Sequence, residues 1–152
     1  MTVKLKVEEL NYGYGHQQVL DQINLALNQG EFIGLIGPNG SGKSTLLKNI
    51  NNILVPQSGT VYLEEQQLKK LEDREVARKL ALVPQNTEAN FKFTVHEIVM
   101  MGRTPYINRF KGETEEDYQV TEWAMKLTNT WQFKDRLFNQ LSGGEQQRVI
   151  LA

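Results

Sequence analysis

Residues 37–45 have the types and spacing of a loop that holds phosphate groups: a glycine, four variable positions, a second glycine, a lysine and two hydroxyl residues. Glycines let successive backbone N–H groups turn towards an anion, because no side chain stands in the way. Lys43 would reach the β- and γ-phosphates of a nucleoside triphosphate and act in catalysis, and the Ser44 hydroxyl would ligate Mg²⁺. We expect the whole run to bind the nucleotide: Gly37, Pro38, Asn39, Gly40, Ser41, Gly42, Lys43, Ser44 and Thr45.

A second run, from Leu141 to Val149, places two glycines at the start of a helix. Ser142 and Glu145 have the spacing of a capping box, in which each side chain bonds the backbone N–H of the other residue. A cap does not require glycine, which is about 1 kcal/mol less favourable than alanine within a helix. Glycines at a helix N-terminus are useful where an anion approaches the bare N–H groups. We expect four residues to contact a phosphate group: Ser142, Gly143, Gly144 and Glu145.

The phosphate loop needs a buried strand before it and a helix after it. The short apolar run at 31–36 predicts the strand, and the spacing of Leu46, Leu47 and Ile50 predicts a helix over 43–52. Other patterns in this part of the chain predict strands at 3–10, 19–27, 60–63 and 80–83, turns at 11–18 and 28–30, and a short charged helix at 72–79.

Helical patterns dominate the rest of the chain. Capping-box and acidic N-terminal patterns predict helices from Thr94 to about 101, from Thr114 to about 128 and from Ser142 onwards. The chain is thus predicted to be a single α/β domain over 1–152, with a strand-rich part at 1–85 and a helical part at 86–152.

The two glycine-bearing motifs resemble those of an ATP-binding cassette (ABC) nucleotide-binding domain, and the resemblance covers the chain from Val3 to Ala152. Leu-Ser-Gly-Gly-Glu at 141–145 is similar to the ABC signature, with Glu145 where the commonest form has Gln. The resemblance implies an α/β fold: a P-loop NTPase cassette core with an N-terminal antiparallel β subdomain and a helical subdomain. It also implies a head-to-tail dimer, in which ATP and Mg²⁺ bind between the phosphate loop of one cassette subunit and the signature of the other.

Two further assignments come from the resemblance. Gln85, in Leu-Val-Pro-Gln, resembles the Q-loop glutamine that contacts Mg²⁺ or the attacking water, so we expect it to be catalytic and a metal ligand. Tyr14 occupies the place of the aromatic ring that stacks on adenine. Tyr12, two residues earlier, is the competing candidate for that role.

The segment from Phe93 to Tyr106 resembles the stretch after the Q-loop in importers of iron-siderophore, haem and cobalamin type, with Tyr106 in place of a frequent His. The resemblance implies a transport ATPase that lies at the cytoplasmic face of the membrane. Its partners would be membrane permease subunits and, indirectly, a substrate-binding protein. We expect the permease to dock on Ile98, Met101, Arg103, Tyr106 and their neighbours.

Composition excludes other classes of protein. The 152 residues contain no cysteine and have a net charge of -1, which excludes disulfides and gives no electrostatic reason to expect nucleic acid. No stretch approaches the ~20 apolar residues of a membrane span, so we expect no segment of these residues to cross a bilayer. His16 and His96 have no ligand partners at metal-binding spacing.

The last residues, Val149 to Ala152, lie in an amphipathic helical pattern without a C-cap signal. The resemblance implies further elements beyond them: the Walker B strand with its Asp, the catalytic Glu, the D-loop and the switch His. We expect the parent protein to be an ATPase and the 152 residues alone to lack hydrolysis, because nothing in them would polarise the attacking water. Two other interpretations stay open: a non-transport ABC ATPase acting on ribosomes or other assemblies, and an unrelated P-loop kinase or GTPase.

Overall fold

The computed structural model describes residues 3–85, 92–108 and 110–152. It contains two compact units, Met1–Ala81 and Leu82–Ala152, called here the first and second units. The first unit is built on an antiparallel sheet with the strand order β2-β1-β3-β4. Its strands are β1 (Val3–Tyr14), β2 (Gln17–Asn28), β3 (Ser58–Leu63) and β4 (Gln66–Gln67).

Strands β1 and β2 form a long hairpin that closes on a two-residue turn. Tyr14 pairs with Gln17, and the first turn residue, Gly15, has a φ of 58°, which suits a residue without a Cβ. The turn expected over 11–18 is therefore wrong in extent, because cross-strand pairing continues through Tyr12 to Tyr14.

The core of the first unit combines side chains of the sheet with α1 (Lys43–Ile50). Leu5 and Val7 are buried together because residues two apart in a strand point to the same face. Leu46 and Ile50, four apart, lie on one side of α1 and join the same core. The helices expected at 43–52 and 72–79 are confirmed as α1 and α2 (Asp73–Lys79).

Two apolar runs expected to be strands, 31–36 and 80–83, have no regular structure. A strand needs a neighbour to pair its N–H and C=O groups, and none of the described strands pairs with either run. Phe32 and Ile36 are 94% and 98% exposed, so the expected burial is wrong as well. In the first unit, a cleft of about 590 Å³ lined mainly by apolar side chains runs beside 31–36.

The second unit is helical, and the helix starts expected from the sequence are confirmed. Thr94, Thr114 and Ser142 each begin a helix with a complete capping box. None of the described helices has the length and apolar character needed to cross a membrane. The helices are α3 (Val95–Met101), α4 (Glu115–Leu127) and α5 (Gly143–Leu151). They enclose a core of Val95, Val99, Met125, Phe138, Leu141 and Val149.

Candidate nucleotide-binding site

Two glycines with positive φ give the phosphate loop its shape, and one of them is also crowded by neighbouring atoms. Gly40 and Gly42 have φ values of 80° and 87°, in the left-handed region that a Cβ disfavours. A Cβ on Gly40 would meet nothing within 4 Å. A Cβ on Gly42 would lie 2.9 Å from Leu20 Cδ2 and 3.1 Å from the carbonyl oxygen of Val19. The end of the loop is thus pressed against the start of β2.

The ammonium group of Lys43 lies over the phosphate loop. Its Nζ donates hydrogen bonds to the carbonyl oxygens of Gly37 and Pro38 at 2.8 and 2.6 Å, and to Ser41 Oγ at 3.3 Å. The lysine therefore places a positive charge at the loop. Its present hydrogen-bond acceptors are neutral oxygens, which a phosphate oxygen could replace. A phosphate oxygen is a stronger acceptor than a carbonyl, because charge-assisted hydrogen bonds are shorter and stronger.

The start of α1 is open to an anion. Within the described residues, no side chain caps the helix at Gly42, and no acidic residue lies in its first turn. The first N–H groups of a helix lack partners inside it, and the helix dipole makes this end positive. Ser44 is exposed here, whereas Thr45 is buried. The loop, the bare helix end and Lys43 together fit a triphosphate chain.

The structure distinguishes the two candidate adenine-stacking rings. Tyr14 is 49% exposed beside the hairpin turn, whereas Tyr12 is partly buried and packs against the core of the first unit. Their ring centroids lie 5.1 Å apart in an edge-to-face arrangement, with an interplanar angle of 82°. The face available to a planar base is therefore that of Tyr14.

The glycine-bearing start of α5 in the second unit combines a cap with open space. The Glu145 carboxylate accepts hydrogen bonds from Ser142 N at 2.8 Å and from Ser142 Oγ at 2.6 Å. These bonds, the hydroxyl first, hold the pKa of Glu145 below its ordinary value. A Cβ on Gly143 or on Gly144 would meet nothing within 4 Å. The backbone of this helix end is therefore accessible.

Gln85 is exposed in the second unit, directly after Pro84. The carbonyl oxygen of Pro84 accepts a hydrogen bond from Gln147 Nε2 of α5 at 3.4 Å. The backbone before Gln85 is thus linked to the same helix that carries the second glycine motif. No group of three or more His, Asp or Glu side chains that could hold a metal ion occurs among the residues that the structure describes.

The four residues expected to form a docking surface have different environments. Met101 and Tyr106 are 46% and 45% exposed, and Ile98 packs partly against the core of the second unit. Arg103 is mostly buried: its Nε donates to Asp117 Oδ1 at 3.0 Å, and its guanidinium lies 4.3 Å from the centre of the Tyr106 ring. The Arg103 side chain thus contacts both the Asp117 carboxylate and the Tyr106 ring.

Asp117 is a neighbour of this surface that sequence reasoning missed. Hydrogen bonds from the Thr114 hydroxyl and backbone N–H, and then the contact with Arg103, hold the pKa of the Asp117 carboxyl below its ordinary value. The capping box of α4 thus supplies the anion that holds Arg103. The sequence contains a possible signal for this ion pair, an arginine followed by a capped acidic helix. Fourteen positions separate Arg103 from Asp117, however, so the spacing alone does not pair them.

A cleft of about 410 Å³ lies beside this surface, between α3 and α4. Met101 lines it, and the imidazole of His96 stacks on the ring of Tyr118 at 5.8 Å. The Tyr118 hydroxyl donates a hydrogen bond to Glu113 Oε2 at 2.6 Å, and this bond raises the pKa of Tyr118. Glu97 also lines the cleft, so its walls are partly apolar and carry two carboxylates.

These features define a P-loop nucleotide-binding domain in which an antiparallel sheet precedes a helical unit. A family model described as ABC transporter matches residues 20–152. The chain belongs to this family, and the fold class expected from the sequence is confirmed. An unrelated P-loop kinase or GTPase is thereby excluded.

Similar proteins include ATP-binding proteins of import systems. The chain is 37% identical to the iron(3+)-hydroxamate import ATP-binding protein of Bacillus subtilis, over 97% of this chain and 55% of the relative. It is 39% identical to a cobalamin import ATP-binding protein of Halobacterium salinarum, over 97% of this chain and 37% of the relative. It therefore spans about half the length of the first of these relatives.

Solved structures also match over nearly the whole chain. The structure of cbiO1 from Clostridium perfringens, described as part of the ABC transporter complex cbiONQ, has a TM-score of 0.82. It is 30% identical to the chain, which covers 60% of it. The dimeric structure of a bacterial ABC transporter cassette, MJ0796, has a TM-score of 0.80 at 30% identity, with 97% of this chain and 67% of that chain covered.

Proposed function

We propose that the chain is the ATP-binding part of an ABC importer subunit and that the whole protein couples ATP hydrolysis to transport. The observation that carries this proposal is the phosphate loop, with Lys43 above it and a bare helix end behind it. The names of the relatives support an iron-siderophore or cobalamin type of substrate; a haem type rests only on the resemblance of the segment from Phe93 to Tyr106.

In this proposal, different residues bind different parts of Mg²⁺-ATP. The backbone N–H groups of 37–45 surround the phosphates, Lys43 neutralises charge on the terminal ones, and Tyr14 stacks on adenine. Ser44 would hold Mg²⁺, which when bound neutralises charge on the phosphate oxygens. The role of Gln85 as a ligand of Mg²⁺ stays a prediction from the resemblance.

The test of ATP binding compares two lysines of the same helix. Lys43→Ala removes a charge-assisted contact and should weaken binding of Mg²⁺-ATP about ten- to a hundredfold in isothermal titration calorimetry of the whole protein. Lys48→Ala removes an exposed lysine from the last turn of α1 and should leave binding unchanged. Equal affinities for the two variants would reject the assignment of the loop.

We also propose that the start of α5 binds the terminal phosphate held by a second cassette subunit, giving a head-to-tail homodimer. The open backbone at Gly143 and Gly144 supports this role. Gly144→Ala fits the free space and raises helix propensity by up to about 1 kcal/mol. It should therefore stabilise the protein while obstructing ATP-dependent association, which sedimentation velocity measures.

Two outcomes of that substitution would count against the phosphate role. Undiminished ATP-dependent association would show that the glycine is not needed for anion approach. A loss of stability would show that the glycine serves the fold of the second unit. Gly112→Ala is a suitable contrast, since its Cβ also meets nothing within 4 Å but its φ of 69° makes a gain in stability unexpected.

The exposed surface around Met101 and Tyr106 is the proposed docking site for a membrane permease, which would place the protein at the cytoplasmic face of the membrane. Exposed Met and aromatic side chains are typical of binding surfaces. The two carboxylates of the neighbouring cleft favour a partner segment with a basic residue. A substrate-binding protein would take part only through the permease.

The docking proposal is tested with Tyr106→Ala and with Trp123→Ala, which removes another exposed aromatic ring of the second unit. Tyr106→Ala should reduce co-purification with the permease and leave ATP affinity intact. Trp123→Ala should change neither. Normal assembly and transport by an Arg103→Met, Tyr106→Ala double variant would rule out this surface.

A further inference from the structure

The competing candidate for adenine stacking, Tyr12, has a contact that gives it a different role. One part of its ring packs against the buried core of the first unit, and the ring meets that of Tyr14 edge to face at 5.1 Å. Tyr14 lies beside the hairpin turn and is half exposed. An exposed ring at a hairpin end has rotameric freedom, which a packed aromatic neighbour reduces.

The backbone around Tyr12 connects this ring pair with the phosphate loop. Tyr12 pairs with Leu20 across the hairpin, and Leu20 Cδ2 lies where a Cβ on Gly42 would be 2.9 Å away. Between the two tyrosines, a Cβ on Gly13 would approach the carbonyl oxygen of Gln17 to 2.7 Å. The two strands thus approach closely at the hairpin end, and β2 in turn lies close to the phosphate loop at Gly42.

We propose that Tyr12 is a positioning residue for recognition of the base: it holds the Tyr14 ring at a set place and angle relative to the phosphate loop. This inference rests on the proposed function, since it requires that the loop binds a nucleotide. A ring that is already ordered loses less conformational entropy when a base stacks on it. Substitution of Tyr12 should therefore weaken the binding of ligands that carry a base and leave the binding of the phosphate chain alone unchanged.

The test compares Tyr12→Leu with Tyr12→Phe in the whole protein, using ATP and inorganic tripolyphosphate as ligands. Tyr12→Leu retains apolar packing on the core but removes the aromatic edge, so ATP affinity should fall about three- to tenfold. Affinity for tripolyphosphate should not change, because that ligand has no base. Tyr12→Phe retains the ring and should bind both ligands like the wild type.

Four results would overturn the inference. The first is unchanged ATP affinity in Tyr12→Leu. The second is an equal loss for ATP and tripolyphosphate, which would make Tyr12 a general support of the fold. The third is a Tyr12→Phe variant as weak as Tyr12→Leu. The fourth is wild-type protein that binds neither ligand, which would overturn the proposed function as well; the first three leave that function standing.

Discussion

The two glycines of the phosphate loop with positive φ allow a matched test of how the loop is built. Gly40→Ala and Gly42→Ala introduce the same methyl group into backbone of nearly the same φ, 80° and 87°. Both substitutions also reduce the entropy of the unfolded chain by the same amount, which cancels in the comparison. What differs is the space: open at Gly40, and occupied by Leu20 and Val19 at Gly42.

The contacts set the expected magnitudes. At Gly40 the loss is backbone strain alone, about 1–2 kcal/mol for a left-handed residue that has a Cβ. At Gly42 the same strain is joined by a steric clash, since the Val19 oxygen at 3.1 Å belongs to the backbone of β2. Overpacking of this kind adds roughly 1–3 kcal/mol. Gly42→Ala should therefore lower the free energy of unfolding about 1–3 kcal/mol more than Gly40→Ala does.

Urea unfolding followed by circular dichroism gives the two free energies, and titration with Mg²⁺-ATP gives the consequence for the site. Gly42→Ala should weaken ATP binding more than Gly40→Ala, because relief of the clash displaces the N-terminus of α1. The reasoning would be refuted by equal losses of stability, or by a larger loss at Gly40. Either result would mean that the loop does not press against β2.

Three further substitutions probe the rest of the structure. Phe138→Ala empties a fully buried position in the second unit and should lower the free energy of unfolding by about 3–5 kcal/mol in denaturant titrations. Arg103→Met leaves the Asp117 carboxylate without its ion pair, so it should lower the melting temperature and release Tyr106, which quenching of tyrosine fluorescence by acrylamide would detect. Lys4 and Lys79 hold the pKa of Glu64 at about 2, against an ordinary 4.5. A depressed pKa stabilises the fold above the ordinary value, so the stability difference between wild type and Glu64→Gln should be full above about pH 4.5 and vanish as the pH falls towards 2.

Features whose partners lie within a few residues were predictable from the sequence. The capping boxes of Thr94 with Glu97 and of Ser142 with Glu145 form as expected, because each box is closed within one helical turn. The phosphate loop and the helix after it follow from local glycine and lysine spacing for the same reason. In motifs of this kind, the residues that bond each other all lie within the same short stretch of sequence.

The features that the sequence did not predict correctly depend on partners far away in the chain. The apolar run at 31–36 reads as a buried strand, but a strand is completed by another segment, and none of the described strands pairs with it. The choice between Tyr12 and Tyr14 depends on which ring the sheet buries, which the spacing of two tyrosines does not reveal. The pairing of Arg103 with Asp117 likewise depends on how α3 and α4 approach each other.

Glycines illustrate how structure separates the needs of the fold from the needs of a ligand. Gly42 is required by φ and by crowding, and Gly40 by φ. Gly143 and Gly144 are required by neither, since their φ values are not positive and a Cβ on either would meet open space within the described residues. A glycine within a helix still costs up to about 1 kcal/mol relative to alanine. Neither φ nor crowding among the described residues of the second unit accounts for that cost, which supports the proposal that these two glycines let a phosphate group approach the bare helix N–H groups. In the proposed head-to-tail dimer, that phosphate group would be held by the other subunit.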